Sequence, residues 1–148
     1  MFSRANGLIV LYTYIYCLAS TLIFSFFIHL AKLDIRSLSF DSKEEEILVL
    51  ILISPLIEVY FFQKLIIDFL VNKKINWFID IIVSSLLFGI AHSSTPIQFA
   101  KGFINGYFYA NGYLKLKKNS SYPFTGIFIA HALHNLTVFM ISEIGRNL

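Results

Sequence analysis

Charged residues are scarce in this chain of 148 residues. They make up 14% of the sequence, and hydrophobic residues make up 57%, whereas about 25% of a typical soluble domain is charged. This shortage excludes an ordinary water-soluble domain, because too few charged side chains remain to cover its surface. Several windows stay apolar over the roughly 20 residues that a helix needs to cross the hydrocarbon core. We therefore predict an all-α integral membrane protein.

Cysteine is nearly absent as well. Cys17 is the only cysteine, which excludes an intrachain disulfide and any cysteine-rich metal motif. There is also no long basic stripe of the kind that binds nucleic acid, since the lysines stand in short clusters between apolar segments. That arrangement is typical of membrane topology. We expect the lipid bilayer, and not nucleic acid, to be a partner of this chain.

Five apolar segments predict a polytopic bundle of about five transmembrane helices, forming a single membrane domain over residues 1–148 of a multi-pass cell-membrane protein. The predicted helices cover residues 8–31, 46–71, 76–92, 96–116 and 123–144. A charged connection over residues 32–46 is expected to separate the first two, with Ser42 as N-cap of the second helix and acids in its first turn. Pro55 should kink the second helix, because proline lacks a backbone N–H. Gly102 and Gly106 form a GxxxG face that allows close helix contact.

Ionisable groups inside these segments are candidates for function. Such a group near the centre of a transmembrane helix costs about 2.5–3.5 kcal/mol on insertion scales, so it usually marks a site or a buried pair. Glu58 lies near the middle of the second helix, and His92 closes the third. His131 and Asn135 share one face of the fifth helix, since four residues make nearly one full turn.

These residue types support two kinds of chemistry. A carboxylate and imidazoles can activate water for attack on a carbonyl, and His131 and Asn135 can donate hydrogen bonds to the oxyanion that forms. That reading makes a peptide-hydrolysis site without a cofactor. Alternatively, Glu58, His92 and His131 can hold zinc, with water as the fourth ligand. Their spacing alone does not separate the two readings.

Other polar residues lie inside the predicted helices, among them Lys101 and His134. Lys101 stands in the fourth helix with Gln98 and Asn105 on nearby faces, and we expect it to pair with an acid. His134 is displaced from Asn135 by about 100° around the fifth helix. We interpret it as a packing or supporting contact.

Three short segments in order resemble the signatures of a known family: residues 55–63 (PLIEVYFFQ), 88–92 (FGIAH) and 131–135 (HALHN). They are similar to the EExxxR, FxxxH and HxxxN motifs of the CPBP family. Its members are CAAX proteases and bacteriocin-processing enzymes, intramembrane endopeptidases related to the Ras-converting prenyl-protein proteases. The resemblance covers residues 55–139, which we take as the catalytic core.

The resemblance implies a hydrolase that cuts a peptide or a membrane-associated protein, with a bacterial role in bacteriocin processing or self-immunity. It implies that Glu58 and His92 activate water, that His131 and Asn135 stabilise the oxyanion, and that no metal takes part. Zinc remains the alternative.

Two positions depart from the family pattern. Val59 and Gln63 stand where the first motif has its second glutamate and its arginine. Residues four apart on a helix can form an ion pair, and replacing both partners of a buried pair can be nearly neutral. The departure favours an alternative function, a catalytically impaired immunity or scaffold protein that binds a peptide or a partner in the same cavity.

Overall fold

The computed structural model describes residues 3–33, 40–119 and 122–146, and these residues form an all-α bundle without strands. The described helices are α1 (Arg4–Leu30), α2 (residues 43–72), α3 (Trp77–Ala91), α4 (Pro96–Asn119) and α5 (Pro123–Arg146). The predicted fold class is confirmed. Helix α4 continues three residues beyond its predicted end at residue 116.

Helix α2 begins three residues before its predicted start at residue 46, and the predicted N-cap at Ser42 is confirmed. Its first turn holds Glu44, Glu45 and Glu46, and the Ser42 hydroxyl accepts a hydrogen bond of 3.1 Å from the backbone N–H of Glu45. Serine is a favourable N-cap, and acids in a first turn complement the helix dipole. The end of the predicted connection is therefore helical from Lys43 onward. Residues 34–39 of that connection, including Asp34 and Arg36, lie outside the described residues.

The winding of α2 changes along its length. Ser54 N–H donates to Val49 O, five residues back, which is the π-helical pattern. Pro55 follows directly and has no N–H to donate, so the break predicted at this proline takes the form of a change in winding. The successive segments are α-helical Lys43–Ile47, π-helical Leu48–Ile53, α-helical Ser54–Glu58, π-helical Val59–Leu65 and α-helical Ile66–Asn72.

The bundle carries apolar side chains outside and polar side chains inside. Large hydrophobic residues such as Ile23, Phe26 and Phe27 on α1 are exposed, whereas buried polar residues include Asn6, Thr13, Ser20, Thr21, Gln63, Asp80, Ser84, Ser85, Asn105, His131 and His134. Lipid tails are the solvent that suits such an exterior. Two described helices, Arg4–Leu30 and Pro123–Gly145, are long and apolar enough to cross a membrane, and Trp77–Ala91 is apolar but shorter.

Two glycines of α4 allow it to lie against α3. A Cβ atom built on Gly106 would stand 2.9 Å from Phe88 Cβ and 3.1 Å from Ser85 Cα, and one on Gly102 would stand 2.9 Å from His92 Cβ. These distances are too short for real carbon contacts, so a side chain at either position would push the helices apart. The predicted GxxxG contact face is confirmed, and it brings α4 next to His92.

Gly106→Ala should therefore destabilise the protein. Forcing a methyl group into a filled contact costs about 1–3 kcal/mol. Alanine stabilises a helix by about 1 kcal/mol over glycine, so the net effect is a loss of stability. Gly7→Ala is the matched control, because a Cβ there meets nothing within 4 Å. Thermal unfolding in detergent should show a lower midpoint for Gly106→Ala and an equal or higher one for Gly7→Ala. Equal midpoints for both variants would mean that α3 and α4 are not in close contact.

Candidate active site

One cavity of about 530 Å³ lies between α2, α3, α4 and α5. All four residues singled out in the sequence line it: Glu58 from α2, His92 at the end of α3, and His131 and Asn135 from α5. The helices thus bring together side chains that are up to 77 positions apart in the chain. Such a cavity has the size of a typical small-ligand site.

Glu58 lies between two imidazoles. Its Oε2 atom is 3.6 Å from His131 Nε2 and 3.8 Å from His92 Nε2. Both distances exceed a direct hydrogen bond and suit groups that contact a common water molecule. The exposed fraction of the side chain rises from 5% for His131 to 20% for Glu58 and 40% for His92. The carboxylate therefore stands between a deep imidazole and one near the cavity mouth.

Lysine does not pair with Glu58 in the described part of the chain. Asp68, which lies further along α2, pairs with Lys64, with Lys64 Nζ 3.6 Å from Asp68 Oδ2, and it also binds Lys117. Among the described residues, the ionisable side chains nearest to the Glu58 carboxylate are therefore the imidazoles of His92 and His131.

The sequence spacing between Phe88 and His92 orients the His92 ring. The Nδ1–H group donates to the Phe88 carbonyl at 2.8 Å, and the ring stacks on the Phe88 ring with centroids 4.5 Å apart. A neutral imidazole has one donor nitrogen and one acceptor nitrogen. Because Nδ1 is the donor, Nε2 presents a lone pair on the side of Glu58.

Pro55 and Asn135 are linked through a backbone carbonyl. Asn135 Nδ2 donates to Leu50 O at 2.8 Å. In the π-helical pattern this carbonyl would receive the N–H of Pro55, which does not exist, and Ser54 N–H donates to Val49 instead. The proline thus leaves an acceptor open, and Asn135 fills it with one of its two amide hydrogens. The other hydrogen stays available in the cavity that Asn135 lines.

A buried chain of hydrogen bonds supports the deep imidazole. Tyr109 stacks on His131, with ring centroids 4.4 Å apart and planes at 26°, and its hydroxyl lies 2.8 Å from His134 Nδ1. His134 Nε2 lies 3.0 Å from Thr21 Oγ1 on α1, which also accepts a bond of 3.2 Å from Asn105 Nδ2. Helix α1 therefore reaches the wall of the site.

Tyr109 was missed from sequence, and His134, interpreted as a packing or supporting contact, makes two hydrogen bonds in this chain. A signal for Tyr109 existed, because Lys101, Asn105 and Tyr109 recur every four residues and so share one face of α4. Thr21 had a signal of the same kind, because Thr13, Cys17 and Thr21 recur every four residues and share one face of α1.

Val59 and Gln63 lie inside the bundle. Each has an exposed fraction of 0%, and both polar atoms of the Gln63 amide are buried without a hydrogen-bond partner in the described part of the chain. The two positions at which the sequence departs from the EExxxR pattern thus face protein and not lipid.

Zinc is the alternative reading of Glu58, His92 and His131. No group of three or more histidine, cysteine, aspartate or glutamate residues in the described ranges is placed to hold a metal ion. His131 Nδ1 is buried with no hydrogen-bond partner among the described residues, whereas a metal-ligating histidine is almost always held through its other ring nitrogen.

Comparison with known proteins identifies one family. The family model described as type II CAAX prenyl endopeptidase Rce1-like matches residues 45–137, which hold Glu58, His92, His131 and Asn135. No curated protein matches the chain, and no solved structure matches it.

The buried positions 59 and 63 allow a double-mutant test. Val59→Glu or Gln63→Arg alone places an uncompensated charge inside the bundle, which typically costs about 3–5 kcal/mol. Each should lower the yield of folded protein, measured by size-exclusion chromatography in detergent. The double variant should recover much of the loss, because the two side chains meet across one helical turn. Harmless single changes with no coupling would show that these positions are not enclosed.

Thr21→Val should destabilise the protein by leaving His134 Nε2 without its partner on α1. A buried polar atom that loses its hydrogen bond costs about 1–3 kcal/mol, and valine keeps the shape of threonine. Thr21→Ser retains the hydroxyl and serves as the control. Thermal unfolding in detergent should rank wild type and Thr21→Ser together, above Thr21→Val. A Thr21→Val variant as stable as wild type or more stable would show that the hydrogen bond between Thr21 and His134 does not stabilise the site.

Proposed function

This chain belongs to the type II CAAX prenyl endopeptidase Rce1-like family, and we propose that it hydrolyses a peptide bond within the membrane with water activated by Glu58. This family consists of membrane-embedded endopeptidases of CAAX type, which supports the proposal. The observation that carries the proposal is the approach of Glu58 Oε2 to His131 Nε2 and His92 Nε2, at 3.6 Å and 3.8 Å. A water molecule between these groups would contact a base and an acceptor at once.

In the first step, Glu58 takes one proton from this water, while the O–H that remains donates a hydrogen bond to His92 Nε2, which orients the molecule. The water oxygen bonds to the carbonyl carbon of the substrate, and the carbonyl electron pair moves onto its oxygen. A general base within reach through one hydrogen bond typically accelerates such a step about 10²–10⁴-fold.

The oxyanion then needs donors. His131 Nε2 faces the reacting centre, and Asn135 has an amide hydrogen that Leu50 does not use. Fixed donors in a site shielded from water stabilise developing charge more strongly than water does. As the C–N bond breaks, Glu58 returns its proton to the leaving nitrogen, so the carboxylate is regenerated.

The expected substrate is a peptide or a membrane-associated polypeptide. A cavity of about 530 Å³ encloses a short segment of extended chain, not a folded domain. The apolar exterior suits a multi-pass protein of the cell membrane, with lipid as its other partner. We propose processing of a bacteriocin, or self-immunity against one, as the biological role, with neither a cofactor nor nucleic acid.

A second candidate function is binding without hydrolysis, in an immunity or scaffold protein. The observation that favours it is the enclosure of Val59 and Gln63, since the unpaired Gln63 amide stands where the resemblance places an arginine. In that case the same cavity would hold a peptide or a partner protein intact.

Glu58→Gln separates the two functions, because it removes the base and keeps the side-chain volume. The full chain, reconstituted in lipid vesicles, should lose at least about 100-fold in cleavage rate, measured by mass spectrometry on a peptide pool. Glu143→Gln is the matched control, since Glu143 pairs with Lys43 at 2.5 Å and does not line the cavity. It should cleave like wild type.

Cleavage by Glu58→Gln at the wild-type rate would overturn the role of Glu58. Retained peptide binding with no cleavage by the wild type would favour the binding function. A chelator should leave cleavage unchanged, and a loss that added zinc reverses would establish the metal alternative.

A further inference from the structure

Lys101 is a cation inside the cavity with no acid beside it. It lies in the second turn of α4 and lines the cavity together with Glu58 and His92. Among the described residues no carboxylate lies within ion-pairing distance of its ammonium group, although Lys43, Lys64 and Lys117 each have such a partner. The acid partner expected from the sequence is thus not found in the described ranges. A cation held away from water without a partner is costly.

Gln98 adds a second donor one helical turn before Lys101. The hydroxyls of Ser94 and Thr95 both donate to Gln98 Oε1, the latter at 3.3 Å. The carbonyl side of the amide is therefore occupied, and the Nε2 hydrogens remain for the cavity that Gln98 lines. Residues three apart share a helix face. Lys101 and Gln98 together offer hydrogen-bond donors and no free acceptor.

The surroundings of Lys101 on its other side are also basic. A neighbouring cavity of about 550 Å³ is lined by Lys101, by His29 and Lys32 from the end of α1, and by Ser25, Ile28 and Leu33, with no acid among these residues. Lys101 stands where the two cavities meet. In this neighbouring cavity, a negatively charged group that reaches Lys101 meets only cationic or neutral side chains, whereas the acid of the main cavity is Glu58.

We propose that Lys101 and Gln98 bind a carboxylate of the peptide substrate and thereby set which peptide bond lies at Glu58. This inference rests on the proposed function and names the feature of the substrate that the site would recognise. A carboxylate has two oxygens that accept several hydrogen bonds, and bonds between charged partners are the stronger kind. The carboxylate comes from the end of the peptide or from an acidic side chain, and the chemistry of the subsite is the same.

Binding can be measured apart from cleavage, in the full-length Glu58→Gln protein in detergent. The probes are short apolar peptides of one sequence with a fluorophore at the N-terminus: a free C-terminal carboxylate, a C-terminal amide, and a C-terminal amide with one internal glutamate. The variants are Lys101→Met, Lys101→Arg and, as a matched control, Lys64→Met. Lys64 is paired with Asp68 and lies outside the cavity.

One of the two carboxylate peptides should bind about tenfold more tightly than the amide, as expected for a charge-assisted hydrogen bond. Lys101→Met should abolish this difference, whereas Lys101→Arg and Lys64→Met should retain it. Preference for the free end identifies a terminal carboxylate, and preference for the internal glutamate identifies an acidic side chain. Either preference, lost in Lys101→Met, supports the subsite.

Equal affinity for all three peptides would overturn the subsite, and so would a loss in Lys101→Met that is the same for each of them. Cleavage is scored separately, in the protein that retains Glu58. If the coupling to Lys101 is present and no peptide is cut, the hydrolytic function fails while the carboxylate subsite stands.

Discussion

Polar groups inside a lipid-facing bundle must be satisfied by the bundle itself. Hydrocarbon offers no hydrogen bonds, so an unpaired polar group within it costs several kcal/mol. This chain places Glu58, three histidines and Lys101 around one cavity and turns apolar side chains outward. The position of every helix around the cavity follows from this constraint. Where a group is left without a partner, as Lys101 is among the described residues, the unsatisfied demand indicates a ligand.

The backbone is subject to the same constraint. Pro55 removes one N–H from α2, and the carbonyl of Leu50 that faces this gap receives Asn135 from α5. One interaction thus repairs the helix and holds the asparagine beside Glu58. π-Helical segments are often found at functional sites, and here two of them flank the short α-helical stretch that carries Glu58.

Close packing of α3 against α4 brings His92, proposed for hydrolysis, next to the helix that carries Lys101, proposed for carboxylate binding. Gly102 lies against His92 and Gly106 against Phe88. The Phe88 carbonyl at the end of α3 orients the imidazole of His92. The same approach carries Lys101 and Tyr109 of α4 to the cavity wall. The side chains proposed for hydrolysis and those proposed for carboxylate binding therefore depend on the same glycine contact.

The sequence alone determined the all-α class and the approximate helices, and it singled out Glu58, His92, His131 and Asn135, which line one cavity. An apolar composition indicates that lipid surrounds the helices, and a spacing of four residues indicates that two side chains share a helix face. Both features can be read from a short stretch of sequence. Local windows also indicated the N-cap at Ser42 and the acids in the first turn of α2, although the helix begins three residues before its predicted start.

Only the tertiary structure decided which helix faces meet. It joined Thr21 to His134 across 113 positions, stacked Tyr109 on His131, and left Lys101 without an acid in the described ranges. Sequence patterns state that a face is polar, but they do not name its partner. The partner depends on packing between segments far apart in the chain, where helices settle to satisfy the groups that lipid cannot.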